Sequence, residues 1–187
     1  MTAVRVSASP RPANRNWALW PLTFLGFPLG GLPAIALGGV EDVFTALAGG
    51  AAAGAVIGAA QWLALRRIVP RLSWMWLPAT AAGLALGLAA GSAAVGYTTA
   101  GPDLLLQGLL TGVGVGVAQA GVLGRSLGVV PGLVWTVAAL ALWPLGWAIT
   151  QAFGVAVENR YAVFGATGAI AYTGLSGLVL WALVRRF

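Results

Sequence analysis

Six stretches of the chain, each roughly 20 residues long, carry no charged side chain, and that length is what a helix needs to cross the hydrocarbon of a bilayer. They run over 17–38, 43–65, 74–97, 104–123, 133–153 and 161–184. Lipid offers no partner to an open backbone, so such stretches must satisfy their peptide groups internally, as helices do. The expected fold is an all-α integral membrane protein with six transmembrane helices. A soluble alternative fails on surface chemistry: 7% of the residues are charged, where a soluble domain carries about 25%. Charge and turn residues collect in the breaks, EDV at 41–43, RRIVPRLS at 66–73, TTAGPD at 98–103, GRSLGVVPG at 124–132 and VENR at 157–160.

An even number of spans puts both termini on one side. Arg5, Arg11, Arg15, Arg66, Arg67, Arg71, Arg125, Arg185 and Arg186 fall on that side, and Arg160 alone falls opposite with Glu41, Asp42, Asp103 and Glu158. Arginine-rich short loops stay in the cytoplasm, so both termini are expected there. The same clustering removes the nucleic-acid reading of the +6 net charge. Residues 1–16 read as a disordered cytoplasmic tail, and 17–187 as the transmembrane domain. AIA at 34–36 has the look of a signal cleavage site, but the run before it is too long and holds Pro21, Pro28 and Pro33. It is expected to stay as the first span.

The pattern GxxxGxxxGxxQxxxLxR occurs twice, 58 positions apart. Gly50, Gly54, Gly58, Gln61, Leu65 and Arg67 match Gly108, Gly112, Gly116, Gln119, Leu123 and Arg125. The last span holds a worn copy, Gly165–Ala169–Thr173–Gly177 with Arg186 behind it and Leu180 in place of the glutamine. On the odd helices Trp20, Trp76 and Trp135 each stand eleven residues before a glycine, Gly31, Gly87 and Gly146. Interfacial positions suit such tryptophans. The chain therefore reads as three parallel-repeat hairpins, over about 17–67, 74–125 and 133–186, related by an axis along the membrane normal.

Helices in lipid associate by close packing of small residues, which gives Gly50, Gly54, Gly58, Gly83, Gly87, Gly91, Gly108, Gly112, Gly116 and Gly177 a packing role. At about 100° per residue, Gln61 returns to within the arc of the glycine stripe. Its amide is expected to meet a neighbouring backbone or its mate Gln119, as interhelical glue typically worth about 0.6 kcal/mol and at most about 2. On that footing the double change to leucine is mild. The functional alternative is a polar pair lining a solute path. Arg67, Arg125 and Arg186 are expected to set orientation and snorkel, with an anionic-lipid contact as the alternative. Pro144 should kink the fifth helix. Thr98, Thr99, Thr150 and Gln151 read as interfacial.

Absences narrow the chemistry further. The chain has no cysteine and no histidine, so thiolate sites, imidazole ligands and the usual general base are missing. No metal site and no cofactor is expected. No ionisable residue falls near the middle of a span, where proton relays and many ion-coupled carriers keep theirs. Ser92 and Ser176 have no base beside them in sequence, and the glycine stripes lack the Lys-Ser/Thr of a phosphate loop. The expectation is a protein that is not an enzyme.

The hairpin motif at 54–67 and 112–125, with GAIAYTGLSG at 168–177, resembles uncharacterised bacterial multi-pass membrane proteins built from similar glycine-rich hairpins. That resemblance implies a bacterial inner-membrane location and brings no activity. Three hairpins are also the layout of mitochondrial-type carriers, but their proline-plus-charge signature on the odd helices is missing here. The leading expectation is a scaffold or accessory subunit whose partners are the bilayer, other membrane subunits or itself. The rivals are a small solute or lipid transporter with a path along the repeat axis, and a pigment- or quinone-holding subunit.

Overall fold

The computed structural model describes residues 15–69, 71–157 and 161–187, with side chains from Trp17 onward. Most of the expected tail, and VENR from Glu158 on, lie outside the described residues. Among the described residues the chain is helical and has no strand. Helices α1 (Gly26–Ala36), α2 (Val43–Leu65), α3 (Trp76–Ala94), α4 (Gly101–Leu127), α5 (Val129–Ala152) and α6 (Ala166–Arg186) follow one another. Two 3-10 turns, Arg15–Leu19 and Pro21–Leu25, lead into α1, so the first span covers Trp17–Ala36. All six spans are long and apolar enough to cross a membrane.

Local chemistry explains the ends. Proline has no N–H to give and fits the first turn of a helix. Pro21 accordingly opens the second 3-10 turn, and Pro28 lies in the first turn of α1. At α2 a reciprocal cap forms: Thr45 N donates to Asp42 Oδ1 at 2.8 Å, and Asp42 N donates to Thr45 Oγ1 at 2.9 Å. Those bonds favour the charged carboxylate and hold Asp42 below its ordinary range. Asp103 occupies the first turn of α4 and accepts from the Thr98 hydroxyl. Arg125, Arg185 and Arg186 sit in last turns. Acids at N-termini and arginines at C-termini both complement the helix dipole.

Several boundaries differ from the sequence expectation, and α3, for one, covers Trp76–Ala94 rather than 74–97. The nine-residue break at 124–132 shrinks to Gly128, whose φ of 105° only glycine takes easily. Helix α4 starts at Gly101, with Pro102 in its first turn, rather than at 104. The sixth span starts at Ala166 rather than 161, because Ala162, Val163 and Phe164 turn inward as irregular chain and are buried. Thr150 makes this possible. It is wholly buried, and its Oγ1 accepts from Gly165 N at 3.1 Å. Without that bond a peptide N–H would be stranded at membrane depth. Helix α5 runs on through Pro144.

The helices form a ring in chain order, each packed on the next, and α6 returns to the 3-10 start of the first span. Glycines set the spacing. A methyl group on Gly50, Gly54 or Gly58 would stand 2.8, 2.7 or 2.9 Å from Ala85 Cα, Ala81 Cα or Thr80 Cβ of α3. On α4, Gly108, Gly112 and Gly116 meet Pro144, Ala139 and the Ala139–Thr136 turn of α5 at 2.6–2.9 Å. Gly83, Gly87 and Gly91 of α3 approach Gly114, Thr111 and Gln107 of α4 as closely. Two side-chain clusters fill the ring. One holds Trp20, Leu65, Trp76, Leu123, Trp135 and Leu180, near the arginine ends of the helices. The other includes Phe27, Trp143, Trp147, Phe164 and Tyr172.

Candidate functional site: a buried glutamine–tryptophan junction

Gln61 on α2 and Gln119 on α4 are 1% and 0% exposed. The structure brings them together: Gln119 Nε2 donates to Gln61 Oε1 at 3.0 Å and to Thr80 Oγ1 at 2.8 Å. Each glutamine also receives an indole. Trp76 Nε1 donates to Gln61 Oε1 at 3.1 Å, and Trp135 Nε1 donates to Gln119 Oε1 at 2.9 Å. Thr80 in turn donates to Trp76 O at 2.7 Å. The junction thus ties α2, α3, α4 and α5 through side chains alone.

The indoles fix which way the amides point. Tryptophan N–H is a donor only, so the atom facing Trp135 must be the Gln119 oxygen, which turns its NH₂ to Gln61 and Thr80. Every donor and acceptor of the Gln119 side chain then has a use. Such a network rigidifies an interior, whereas one missing member strands the rest in low dielectric. The Trp76 and Trp135 rings lie 6.0 Å apart, tilted by 54°, and cover the amides. These tryptophans are 0% and 1% exposed, so near the arginine ends of the helices they turn into the bundle. The cause is chemical: an indole buried in lipid-facing protein needs an acceptor, and the glutamines supply it.

The first span resolves the same need differently. Leu180 cannot accept, and Trp20 Nε1 donates to Thr173 O at 2.8 Å. Gly177 lets the ring come this close, since a methyl there would meet Trp20 Cδ1 at 2.5 Å. Towards the acid-bearing ends, Phe27 stacks on Phe164 at 4.9 Å, and Trp143 meets both Phe164 and Tyr172 edge-on at 5.1 and 5.8 Å. Pro144 lies at the crossing with Gly108.

The remaining sequence candidates stay at the periphery. Arg67, Arg125 and Arg186 are exposed, and Arg125 Nη1 turns back to donate to Gly121 O at 2.5 Å. Arg66 lies over the Trp62 ring at 4.8 Å and Arg185 over Trp181 at 4.0 Å, pairs that sequence reading passed over. Ser176 donates to Thr173 O, while Ser92 Oγ has no hydrogen-bond partner among the described residues. No cluster of metal-ligating side chains occurs among the described residues. Sequence reading also missed Trp76, Trp135 and Thr80 as partners of the amides. The signal was available, because each glutamine precedes a tryptophan by 15 or 16 residues across a hairpin joint. Comparison with protein-family models, curated proteins and solved structures finds no match.

Proposed function

We propose that the chain is a non-enzymatic, multi-pass inner-membrane protein of bacterial type that serves as a scaffold or accessory subunit. In this reading three hairpins repeat around an axis along the membrane normal, and the glycine stripes are the joints between them. The observation that carries it is the filled interior. A solute path along the axis would have to cross Gln61, Gln119, Trp76 and Trp135, and then Phe27, Trp143, Phe164 and Tyr172. The amides and the Trp76 and Trp135 indoles are spent on one another, and the Phe27, Trp143, Phe164 and Tyr172 rings pack on one another, rather than being held open for a ligand.

Two measurements test the proposal. Liposomes carrying the purified chain are expected to show no flux of ions, small solutes or labelled lipid above empty vesicles. Mild-detergent isolation from native membranes is expected to retain a stoichiometric membrane partner and to give no absorption beyond that of the aromatic residues. Flux that survives removal of contaminants, or a bound chromophore, would overturn it.

Both termini are assigned to the cytoplasm on the arginine distribution. With no native cysteine, the assignment is open to labelling without background. Ser126→Cys is expected to react with an impermeant maleimide only from the cytoplasmic side, and Thr98→Cys only from the other. The reverse pattern would invert the topology.

A further inference from the structure

The seam between α6 and the first span is built differently from those of α2 with α3 and α4 with α5. Helix α2 closes on α3, and α4 on α5, through three glycines each. On α6 the corresponding line is Ala169, Thr173 and Gly177, and Trp20 of the first span packs on Gly177 and donates to Thr173 O. A groove of about 570 Å³ remains there, walled by Trp17, Pro21, Gly174, Leu178 and Trp181 and edged by Arg185.

We propose that this groove seats one anionic glycerophospholipid, with its phosphate on Arg185 and an acyl chain along α6 as far as Gly174. Charge and length point to that occupant. Arg185 is exposed, faces no carboxylate among the described residues, and lies over the Trp181 ring at 4.0 Å. Stacking holds the guanidinium in place while leaving its N–H edge free to fork onto a phosphate. Glu41, Asp42 and Asp103 stand before or in the first turns of α2 and α4, whereas Arg185 is in the last turn of α6. In between, Leu178 is 65% exposed and a methyl on Gly174 would meet nothing within 4 Å, which leaves an apolar channel. From residue 174 to 185 a helix rises about 16 Å, half of the roughly 30 Å hydrocarbon layer. A second transmembrane helix would need the whole thickness, and a single lipid chain needs one leaflet. A similar groove beside Arg125 is a weaker candidate, because that guanidinium is turned onto Gly121 O.

The test uses the full chain in detergent, with phosphatidylglycerol or phosphatidylcholine of equal chain length added, and native mass spectrometry as readout. One phosphatidylglycerol is expected to be retained per chain, with a preference over phosphatidylcholine of about fivefold, the weight of one basic side chain against an anionic surface. Arg185→Gln should remove the preference and keep the weaker retention of both lipids. Gly174→Phe should remove both, while Gly124→Phe, on an equally open position of α4, should change neither. Unchanged thermal unfolding of each variant separates a blocked seat from a damaged fold. Equal retention of the two lipids by the native chain would overturn the proposal. So would retention indifferent to Gly174→Phe, or a dimer that Gly174→Phe dissolves, which would give the groove to a second copy.

Discussion

Gly54→Leu is expected to abolish stable folding, and Gly112→Leu to do the same. A Cβ at Gly54 would stand 2.7 Å from Ala81 Cα and 2.8 Å from Thr80 O. At Gly112 it would stand 2.6 Å from Ala139 O. In both places the obstacle is backbone, which cannot rotate aside as the tip of a side chain can. Overpacking in soluble cores typically costs about 1–3 kcal/mol with flexible neighbours, and here two helix axes must separate, so about 3 kcal/mol is the lower bound expected. Separation would also lengthen the hydrogen bonds of the nearby junction, whose members sit on the same helices. Unfolding in mixed micelles, followed by tryptophan fluorescence, measures the effect. Gly124→Leu meets nothing within 4 Å and should unfold like the native chain. If Gly54→Leu melted alongside Gly124→Leu, close backbone packing would not be what holds α2 on α3.

The spans were legible because bilayer thickness acts on composition directly: no charge inside about 20 residues is a signal no propensity can blur. Boundaries were less so. GRSLGVVPG looked like a loop because it concentrates glycine, serine and proline. Yet Ser126 continues α4, Pro131 suits the first turn of α5, and only Gly128 leaves helical geometry. Phe164 reads as part of a span, although it is the side chain that an irregular segment drives against Gly146. Periodicity cannot report that, since the segment is as apolar as a helix would be. The burial of Thr150 was hidden for the same reason: its partner, Gly165 N, exists only because the chain stops being helical there.

The glutamines show a different limit. Their face on α2 and α4 follows from 3.6-residue periodicity, but their energetic weight depends on partners that periodicity does not name. Valued as one amide–amide contact, the pair would be worth about 0.6 kcal/mol. The added indole and threonine bonds raise the expected cost towards the upper end of the range for such contacts, about 2 kcal/mol. Gln119→Leu removes the acceptor of Trp135 Nε1 and the donor to Thr80 and Gln61. A buried donor left without a partner costs about 1–3 kcal/mol, so about 2 kcal/mol of destabilisation is expected. The Gln61→Leu, Gln119→Leu double variant strands both indoles and should lose about 3 kcal/mol, less than a simple sum because the unfolded chain in lipid finds substitutes for some bonds. A double-mutant cycle isolates the cause. Trp135→Phe removes the stranded N–H, so adding it to Gln119→Leu should cost less than it does in the native background, with a coupling of about 1 kcal/mol. Equal costs in the two backgrounds would mean that the indole bond contributes nothing. The junction's stability would then rest on packing of the rings, and Gln61 and Gln119 would again be available for a ligand.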